Sequence, residues 1–207
     1  MKKSVFFRPW VGTDYRSGGI FKKKILIVGE SHYCDSQCEG CGTEACSGCH
    51  SFTTDVINDY LNPKEWNRWM NTFRKFEHSL VNHKTGAEES RAIWDSVAFY
   101  NFLQSPMQSA RQSGTPEQYR DAAVPFFQVL NELRPDAIIV WGCRLWNRMP
   151  GDSWKEGEKI VINNYPVQNG FYFLEDGTPV QAVCIYHPAA GYSWDVWHKV
   201  LQATVLR

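Results

Sequence analysis

The segment Gly29-Glu30-Ser31-His32-Tyr33 carries side chains that can do chemistry, and it directly follows an apolar run, Ile25-Leu26-Ile27-Val28. A carboxylate and an imidazole can transfer protons or orient water in a reaction. In an α/β sheet, ligands bind outside the carboxyl ends of the strands. If the apolar run is such a strand, the polar residues that follow it are candidates for a functional site.

Two later apolar runs also end in polar side chains. Asn101 lies within Val97–Phe102 and offers both a donor and an acceptor, while His187 follows Val180–Tyr186 and can stabilise developing negative charge. Structural roles remain open for all three side chains. Glu30 could cap a helix or pair with a lysine, Asn101 could bond its own backbone in a turn, and His187 could be a satisfied structural histidine.

The elements that would position these residues are indicated by apolar periodicity. Four short runs rich in Val, Ile, Phe or Tyr are expected strands: Lys24–Val28, Val97–Phe102, Ala137–Trp141 and Val180–Tyr186. Helical spacing predicts one or two amphipathic helices in Ser51–Ala92, with a break near Asn62-Pro63. Two further helices are expected, over Pro116–Leu133 with proline at its first position and over Tyr192–Leu206.

Strands that alternate with helices imply a mostly parallel sheet covered on both faces. We therefore predict the α/β class, as a three-layer α/β/α arrangement with a central four-stranded, mostly parallel sheet. The length of 207 residues suits one domain, residues 1–207. Strands at Lys159–Asn163 and Phe171–Leu174, with a hairpin turn at Asp176-Gly177, predict an antiparallel excursion before the fourth main strand.

Composition restricts the partners of the chain. Lys plus Arg and Asp plus Glu number 22 each, so there is no global attraction to phosphate backbones. Nucleic-acid binding would need a local patch, for which Arg111, Arg144 and Arg148 are the preferred phosphate contacts. No run approaches the roughly 20 apolar residues of a membrane span, and we expect a cytoplasmic protein with no membrane partner.

Five of the seven cysteines fall in one loop, residues 34–50, inserted after the first strand. Two Cys-x2-Cys pairs in it predict a structural zinc site with four thiolate ligands: Cys38, Cys41, Cys46 and Cys49. An iron–sulfur cluster also accepts four thiolates, and a loop of unligated thiols is the third alternative. Cys34 is an alternate ligand. Cys143 and Cys184, both in apolar surroundings, are expected to be buried thiols.

The order of the strand-end motifs resembles the uracil-DNA glycosylase superfamily. In that family the first strand ends in a Gly-led motif that positions or activates water, and the second supplies an Asn that reads the base. The third typically ends in Gly before a helix, as Ile138–Gly142 does here, and the last carries a His-Pro-Ser/Ala signature, similar to His187-Pro188-Ala189. The resemblance spans Ile25 to about Trp197.

The resemblance implies roles for particular residues. Glu30 matches a water-positioning residue, Asn101 the base-reading amide, and His187 the histidine that stabilises charge on the base oxygen. Tyr33 matches a pocket-shielding tyrosine, and Phe102 is a second candidate for stacking on the base. The rest of the expected substrate-binding set consists of Gly29, Ser31, His32 and Tyr192.

The implied function is hydrolysis of the N-glycosidic bond of uracil or a damaged base in DNA, with DNA or a nucleobase or nucleotide ligand as partner. The chain departs from the family pattern at two positions: Ser31 stands where the long-studied branch has a catalytic Asp, and His32 replaces a Pro. These departures and the zero net charge favour an alternative. In it the chain is a catalytically inactive nucleobase- or nucleic-acid-binding module of the same fold, stabilised by a structural metal.

Overall fold

The computed structural model describes residues 5–34, 50–109 and 112–207. Within these ranges the chain forms strands and helices in this order: β1 Trp10–Val11, β2 Ile25–Gly29, α1 Phe52–Leu61, α2 Met70–Val81, α3 Ala87–Asp95, β3 Val97–Asn101, α4 Pro116–Leu133, β4 Ala137–Trp141, α5 Cys143–Trp146, β5 Trp154–Glu156, β6 Ile160–Ile162, β7 Tyr165–Val167, β8 Asn169–Phe173, β9 Pro179–Ile185 and α6 Trp194–Ala203. The protein is therefore of the mixed α/β type.

The main sheet has seven strands in the described part of the chain, in the order β1-β3-β2-β4-β9-β8-β5. Its middle strands β3, β2, β4 and β9 pair in parallel, and β1, β8 and β5 join antiparallel. The predicted number of four sheet strands was wrong. Strands β1 and β5 have two and three residues, too few for an apolar run to stand out, whereas β8 lies in the predicted antiparallel excursion and joins this sheet through β9.

The central strands are buried on both faces, and this explains their continuous apolar sequence. Every residue of β2, β3 and β4 is buried. Alternate side chains enter two separate cores: Ile25 and Ile27 pack with α1, α2, α3 and α6, whereas Leu26 and Val28 pack with α4 and α5. Helices therefore cover both faces of the sheet, as the alternation of elements predicts.

Local sequence sets the limits of α4, which coincide with the predicted bounds. The Thr115 hydroxyl accepts from the Gln118 N–H at 3.2 Å, and the Gln118 side chain accepts from the Thr115 N–H at 2.7 Å. This reciprocal capping box, with Pro116 at the first helical position, fixes the start of the helix. The helix ends at Arg134, which adopts a left-handed conformation with φ 48°.

Residues 51–92 contain more helices than the periodicity indicates. Three helices, α1, α2 and α3, occupy this region, and the first break covers Asn62 as expected. A second break at Asn82, with φ 63°, separates α2 from α3. The buried Glu77 carboxylate joins the two helices again, because it accepts hydrogen bonds from Thr85, Ser90 and Trp94 at 2.6–2.7 Å.

The predicted antiparallel excursion is present between β4 and β9. Strands β6 and β7 form a separate two-stranded sheet, and β8 returns antiparallel to β9 through the turn at Asp176-Gly177. Gly177 has φ 81°, a conformation that glycine adopts without steric cost. None of the helices in the described ranges is both long enough and apolar enough to cross a membrane.

Candidate functional site

The carboxyl ends of the parallel strands meet at one edge of the sheet. Gly29 at the end of β2 is in register with Asn101 at the end of β3, and Trp141 at the end of β4 is in register with Ile185 of β9. The segments that continue from these ends leave the sheet on the same side, where α/β proteins bind ligands. They contribute Glu30, His32, Asn101, Arg144 and His187.

The carboxylate of Glu30 is buried and is held by two other elements. Arg144 of α5 donates from Nε to both carboxylate oxygens at 2.9 Å and from Nη2 to Oε2 at 2.5 Å. Tyr119 of α4 donates its hydroxyl proton to Oε1. The side chain of Glu30 is 10% exposed and that of Arg144 is 43% exposed, so the pair lies where the interior meets solvent. The Glu30 carboxylate is therefore anchored, and its charge is balanced.

This network keeps its donors protonated. The hydrogen bond to Glu30 raises the pKa of Arg144. Burial, and then the hydrogen bond to Glu30, raises the pKa of Tyr119. Arg148 lies on the other side of Tyr119, with its guanidinium carbon 5.8 Å from the ring centre. Donors and positive charge consequently surround Glu30 across the neutral pH range.

His187 lies directly after β9, beside Trp141, with the two ring centres 5.9 Å apart. The N–H of Ala189 donates to Nδ1 of His187 at 3.2 Å, which assigns the proton of the neutral imidazole to Nε2. Burial lowers the pKa of His187; the charge of Glu30 raises this pKa and that of Arg144 lowers it. At neutral pH His187 is therefore an uncharged imidazole with one N–H donor, on Nε2.

Asn101 contacts His32 rather than its own backbone. Nδ2 of Asn101 lies 3.2 Å from Nδ1 and 3.0 Å from Nε2 of His32, and Oγ1 of Thr53 lies 2.8 Å from the same Nε2. Burial lowers the pKa of His32 to about 3, so the ring is neutral and one of its nitrogens can accept from the amide. The Asn101 side chain is thus held in one orientation at the strand end.

Gly29 makes room for that orientation of Asn101. A Cβ atom on Gly29 would lie 2.4 Å from Oδ1 of Asn101 and 3.1 Å from the ring of Phe99. Such a contact is too close, so a side chain at position 29 would force the Asn101 amide to move. Gly29 therefore acts on the site through Asn101.

Two polar atoms beside the strand ends have no hydrogen-bond partner in the described part of the chain. They are Oγ of Ser31, in the segment after β2, and Nε1 of Trp141, at the end of β4. Buried polar atoms are nearly always paired, so unpaired ones indicate water, an ion or a ligand. Their position at the same sheet edge adds hydrogen-bonding capacity to the candidate site.

Tyr33 is the exposed aromatic residue of the predicted set, with 43% of its surface accessible. It forms an isolated parallel bridge with Met107, and the backbone N–H of Met107 donates to the carbonyl of His32 at 2.8 Å. Tyr33 contributes to the raised pKa of Arg144, so the two side chains are near one another. Tyr33 is therefore available for stacking at the edge of the site.

Phe102 and Tyr192 lie inside the two cores. Phe102 is fully buried between Tyr119 and Phe126, with ring centres 6.4 and 5.6 Å away. Tyr192 is 9% exposed, stacks on Trp197 and donates its hydroxyl proton to Oγ of Ser79 at 2.7 Å. Neither ring has a face open to a ligand, so the structure does not bring these two residues to the site as stacking groups.

The predicted metal ligands Cys38, Cys41, Cys46 and Cys49 lie outside the described residues, as does Arg111. Of the loop's cysteines, Cys34 is described: it is half-buried, and its N–H donates to the Met107 carbonyl at 3.0 Å. Within the described ranges, no group of three or more His, Cys, Asp or Glu side chains could hold a metal ion.

Tyr119 and Thr53 also belong to the site, but the sequence did not predict them because neither follows a strand. Tyr119 reaches Glu30 from the first turn of α4, and Thr53 reaches His32 from α1. The capping box at Thr115 predicts where α4 begins. It does not indicate that the Tyr119 side chain in the first turn points towards Glu30. The guanidinium of Arg144 binds Glu30, and the phosphate contact expected of Arg144 stays a prediction.

The sequence of this chain matches neither a protein-family model nor a curated protein. The chemistry available to the site therefore follows from its own residues. They provide an anchored carboxylate, a neutral imidazole donor, an oriented amide and an exposed tyrosine at one edge of a sheet.

Proposed function

We propose that this chain is a divergent DNA glycosylase-like protein, which hydrolyses the N-glycosidic bond of uracil or of a damaged base in DNA. The observation that carries the proposal is the meeting of Glu30, Asn101 and His187 at one edge of the sheet. The parallel strands β3, β2, β4 and β9 at the centre of the sheet support a fold of the uracil-DNA glycosylase type.

His187 is the group best suited to stabilise the departing base. Cleavage of the bond leaves negative charge on the base, and a hydrogen-bond donor in a water-poor site stabilises that charge. The Ala189 N–H occupies Nδ1, so the donor is Nε2–H, and burial favours the neutral ring that provides it. A neutral imidazole stabilises the negative charge through a hydrogen bond. A charged imidazolium would form an ion pair with the released base and slow its departure.

Asn101 and Glu30 would complete the site. The amide of Asn101, oriented by His32 and Gly29, offers one donor and one acceptor for the edge of a base. The carboxylate of Glu30 would orient a water molecule or support positive charge on the sugar. Ser31, whose hydroxyl has no hydrogen-bond partner among the described residues, and Tyr33, with its exposed ring, would contact the same ligand.

A second candidate function is a catalytically inactive module that binds a nucleobase or nucleic acid. The contacts of Glu30 favour it, because Arg144 occupies both carboxylate oxygens and Tyr119 occupies one of them. A carboxylate whose lone pairs are already used is a poor base for water. In this module Glu30 would orient Arg144 and Tyr119 towards a ligand and would take no part in bond cleavage.

For the cysteine loop we propose a structural zinc ion held by the four thiolates, with an iron–sulfur cluster as the alternative. Two Cys-x2-Cys pairs supply the soft, tetrahedral donor set that either group requires. Metal analysis of the purified protein, with its absorbance near 400 nm, distinguishes a colourless zinc protein from a coloured cluster. A cytoplasmic location remains a prediction from the cysteine spacing.

The test is base release from uracil-containing single-stranded and mismatched duplex DNA. We expect release by the wild type and a loss of about 10²–10³-fold in His187→Gln, the size of the effect of removing one oxyanion donor. Asn101→Ala should lose release as well. His83→Gln is the matched control, because His83 is exposed and contacts Glu89 in the α2–α3 connection.

Absence of release from every substrate, by folded and metal-loaded protein, would contradict the glycosylase function. Binding of free uracil or of abasic DNA by that same preparation would then support the inactive module. Failure of both assays would reject the two functions together.

A further inference from the structure

Two cysteines outside the metal loop face each other beside the candidate site. Cys143 begins α5, directly after β4, and Cys184 lies in β9, the strand paired with β4. Their sulfur atoms are 3.8 Å apart. In a disulfide this distance is about 2.05 Å, so the two sulfur atoms need to approach by less than 2 Å to form a bond.

The two thiols differ in their access to solvent. Cys184 is fully buried, and burial raises its pKa, so it remains a thiol at neutral pH. Cys143 is half-buried and lines a cavity of about 670 Å³. Aromatic side chains form much of the remaining wall of this cavity: Trp146, Trp154, Tyr165 and Tyr186. A small solute can therefore reach Cys143, while Cys184 lies behind it.

We propose that Cys143 and Cys184 form a reversible disulfide when a hydroperoxide enters this cavity. The thiolate of Cys143 attacks the distal oxygen of the hydroperoxide, which breaks the O–O bond, gives Cys143 sulfenic acid and releases an alkoxide or hydroxide that takes up a proton. The sulfur of Cys184 then attacks the sulfenic sulfur and loses its proton, and water leaves as the S–S bond forms. Both sulfur atoms are oxidised, and the hydroperoxide accepts the two electrons.

A turn at Gly142 holds the backbone before Cys143 against the strand that carries Cys184. Gly142 adopts φ 100°, and its N–H donates to the Ile185 carbonyl at 2.8 Å, which keeps the turn next to β9. The helix α5 that follows is a single turn, Cys143–Trp146, and Cys143 is its first residue. The charged groups that line the cavity are Glu156, Glu158 and Lys159, and the Tyr165 hydroxyl lies close enough to Cys143 to interact with it.

Peptide mapping gives a direct test, because trypsin separates the relevant cysteines. Cys143 is the only cysteine of residues 121–144, Cys184 is the only one of residues 160–199, and the five loop cysteines all fall in residues 25–64. The wild-type protein is treated with an equimolar amount of hydrogen peroxide, alkylated under denaturing conditions and digested. We expect a cross-linked species of peptides 121–144 and 160–199 that dithiothreitol reverses.

Two variants report on the order of the steps. In Cys184→Ser the sulfenic acid of Cys143 persists and is trapped by dimedone, whereas in Cys143→Ser the thiol of Cys184 stays reduced. Recovery of both wild-type peptides singly alkylated, while the peroxide is consumed by the loop peptide, would overturn the proposal. So would a cross-link from either cysteine to peptide 25–64. None of these readouts depends on glycosylase activity.

Discussion

Nη2 of Arg144 lies 2.5 Å from Oε2 of Glu30 and joins the residue after β2 to the helix after β4. The carboxylate is the buried partner, and the guanidinium is the partly exposed one. An ion pair in such a position differs from a surface pair, because loss of the cation leaves a buried charge without compensation. The contact therefore connects the stability of the sheet edge with the chemistry available to Glu30.

A double-mutant cycle of Glu30→Gln and Arg144→Met should measure a coupling of about 1–2 kcal/mol in the free energy of unfolding, above the 0–1 kcal/mol of exposed pairs. Arg134 and Asp176 provide the matched control, since their side chains are 2.6 Å apart but each is about half exposed. Urea denaturation of the seven proteins, with the wild type common to both cycles, gives both couplings. Equal values for the two pairs would show that the burial of Glu30 adds nothing.

Gly29→Ala should destabilise the protein by about 1–3 kcal/mol, as overpacking of a tight interior does. The added Cβ would meet Oδ1 of Asn101 at 2.4 Å and displace the amide from His32. Gly151→Ala is the control, because no atom lies within 4 Å of the corresponding Cβ there. Thermal and urea denaturation compare the two. A Gly29→Ala protein as stable as Gly151→Ala would mean that Asn101 moves aside without cost.

The central strands and α4 could be predicted from sequence because their signals are local. Ala137–Trp141 and Pro116–Leu133 have the predicted bounds, since one is an uninterrupted apolar run and the other has a capping box at its start. The same locality explains the errors. Strand β1 has two residues, Trp10 and Val11, which are too few to show a periodic pattern. It forms through pairing with β3, far along the chain.

The sequence predicted site residues that follow a strand. It predicted fewer of those whose side-chain direction depends on tertiary packing. Glu30, Asn101 and His187 are at strand ends, and the structure brings them to one edge of the sheet. Phe102 also follows a strand, but the next turn directs its ring into the core formed with α4. The pairing of Glu30 with Tyr119, 89 residues away in sequence, depends on how α4 packs on the sheet, and no short motif encodes it.

Tyr33→Ala and Phe102→Ala should separate stacking on a ligand from packing in the core. Tyr33 is 43% exposed, so its loss should leave stability within about 0.5 kcal/mol and weaken nucleobase or single-stranded DNA binding by about 1–3 kcal/mol. Phe102 is fully buried, and its truncation should cost about 3–5 kcal/mol of folding free energy. Calorimetric binding and urea denaturation give the two numbers. Unchanged ligand binding by Tyr33→Ala would exclude this ring from the binding surface.

Acid should destabilise the protein through its buried histidines, with His32 as the clearest case. Burial lowers the pKa of His32 from 6.5 to about 3. Below pH 6.5 the unfolded chain therefore binds a proton at His32 that the folded chain does not. Above pH 6.5 both states leave His32 neutral, and the stabilisation of the folded state by the neutral ring is fully present. It is lost as pH falls towards 3, at up to about 1.4 kcal/mol per pH unit.

His32→Gln should flatten this dependence, because glutamine retains hydrogen-bonding groups for Thr53 and Asn101 but does not titrate. The relevant quantity is the slope of the unfolding free energy against pH between 6.5 and 4, measured by urea denaturation, rather than the absolute stability of the variant. His78 and His187 also have lowered pKa values and keep part of the slope in both proteins. Gly151→Ala, which changes no titratable group, should retain the full wild-type slope. Parallel curves for wild type and His32→Gln would show that the folded protein takes up the proton at His32 as readily as the unfolded chain does.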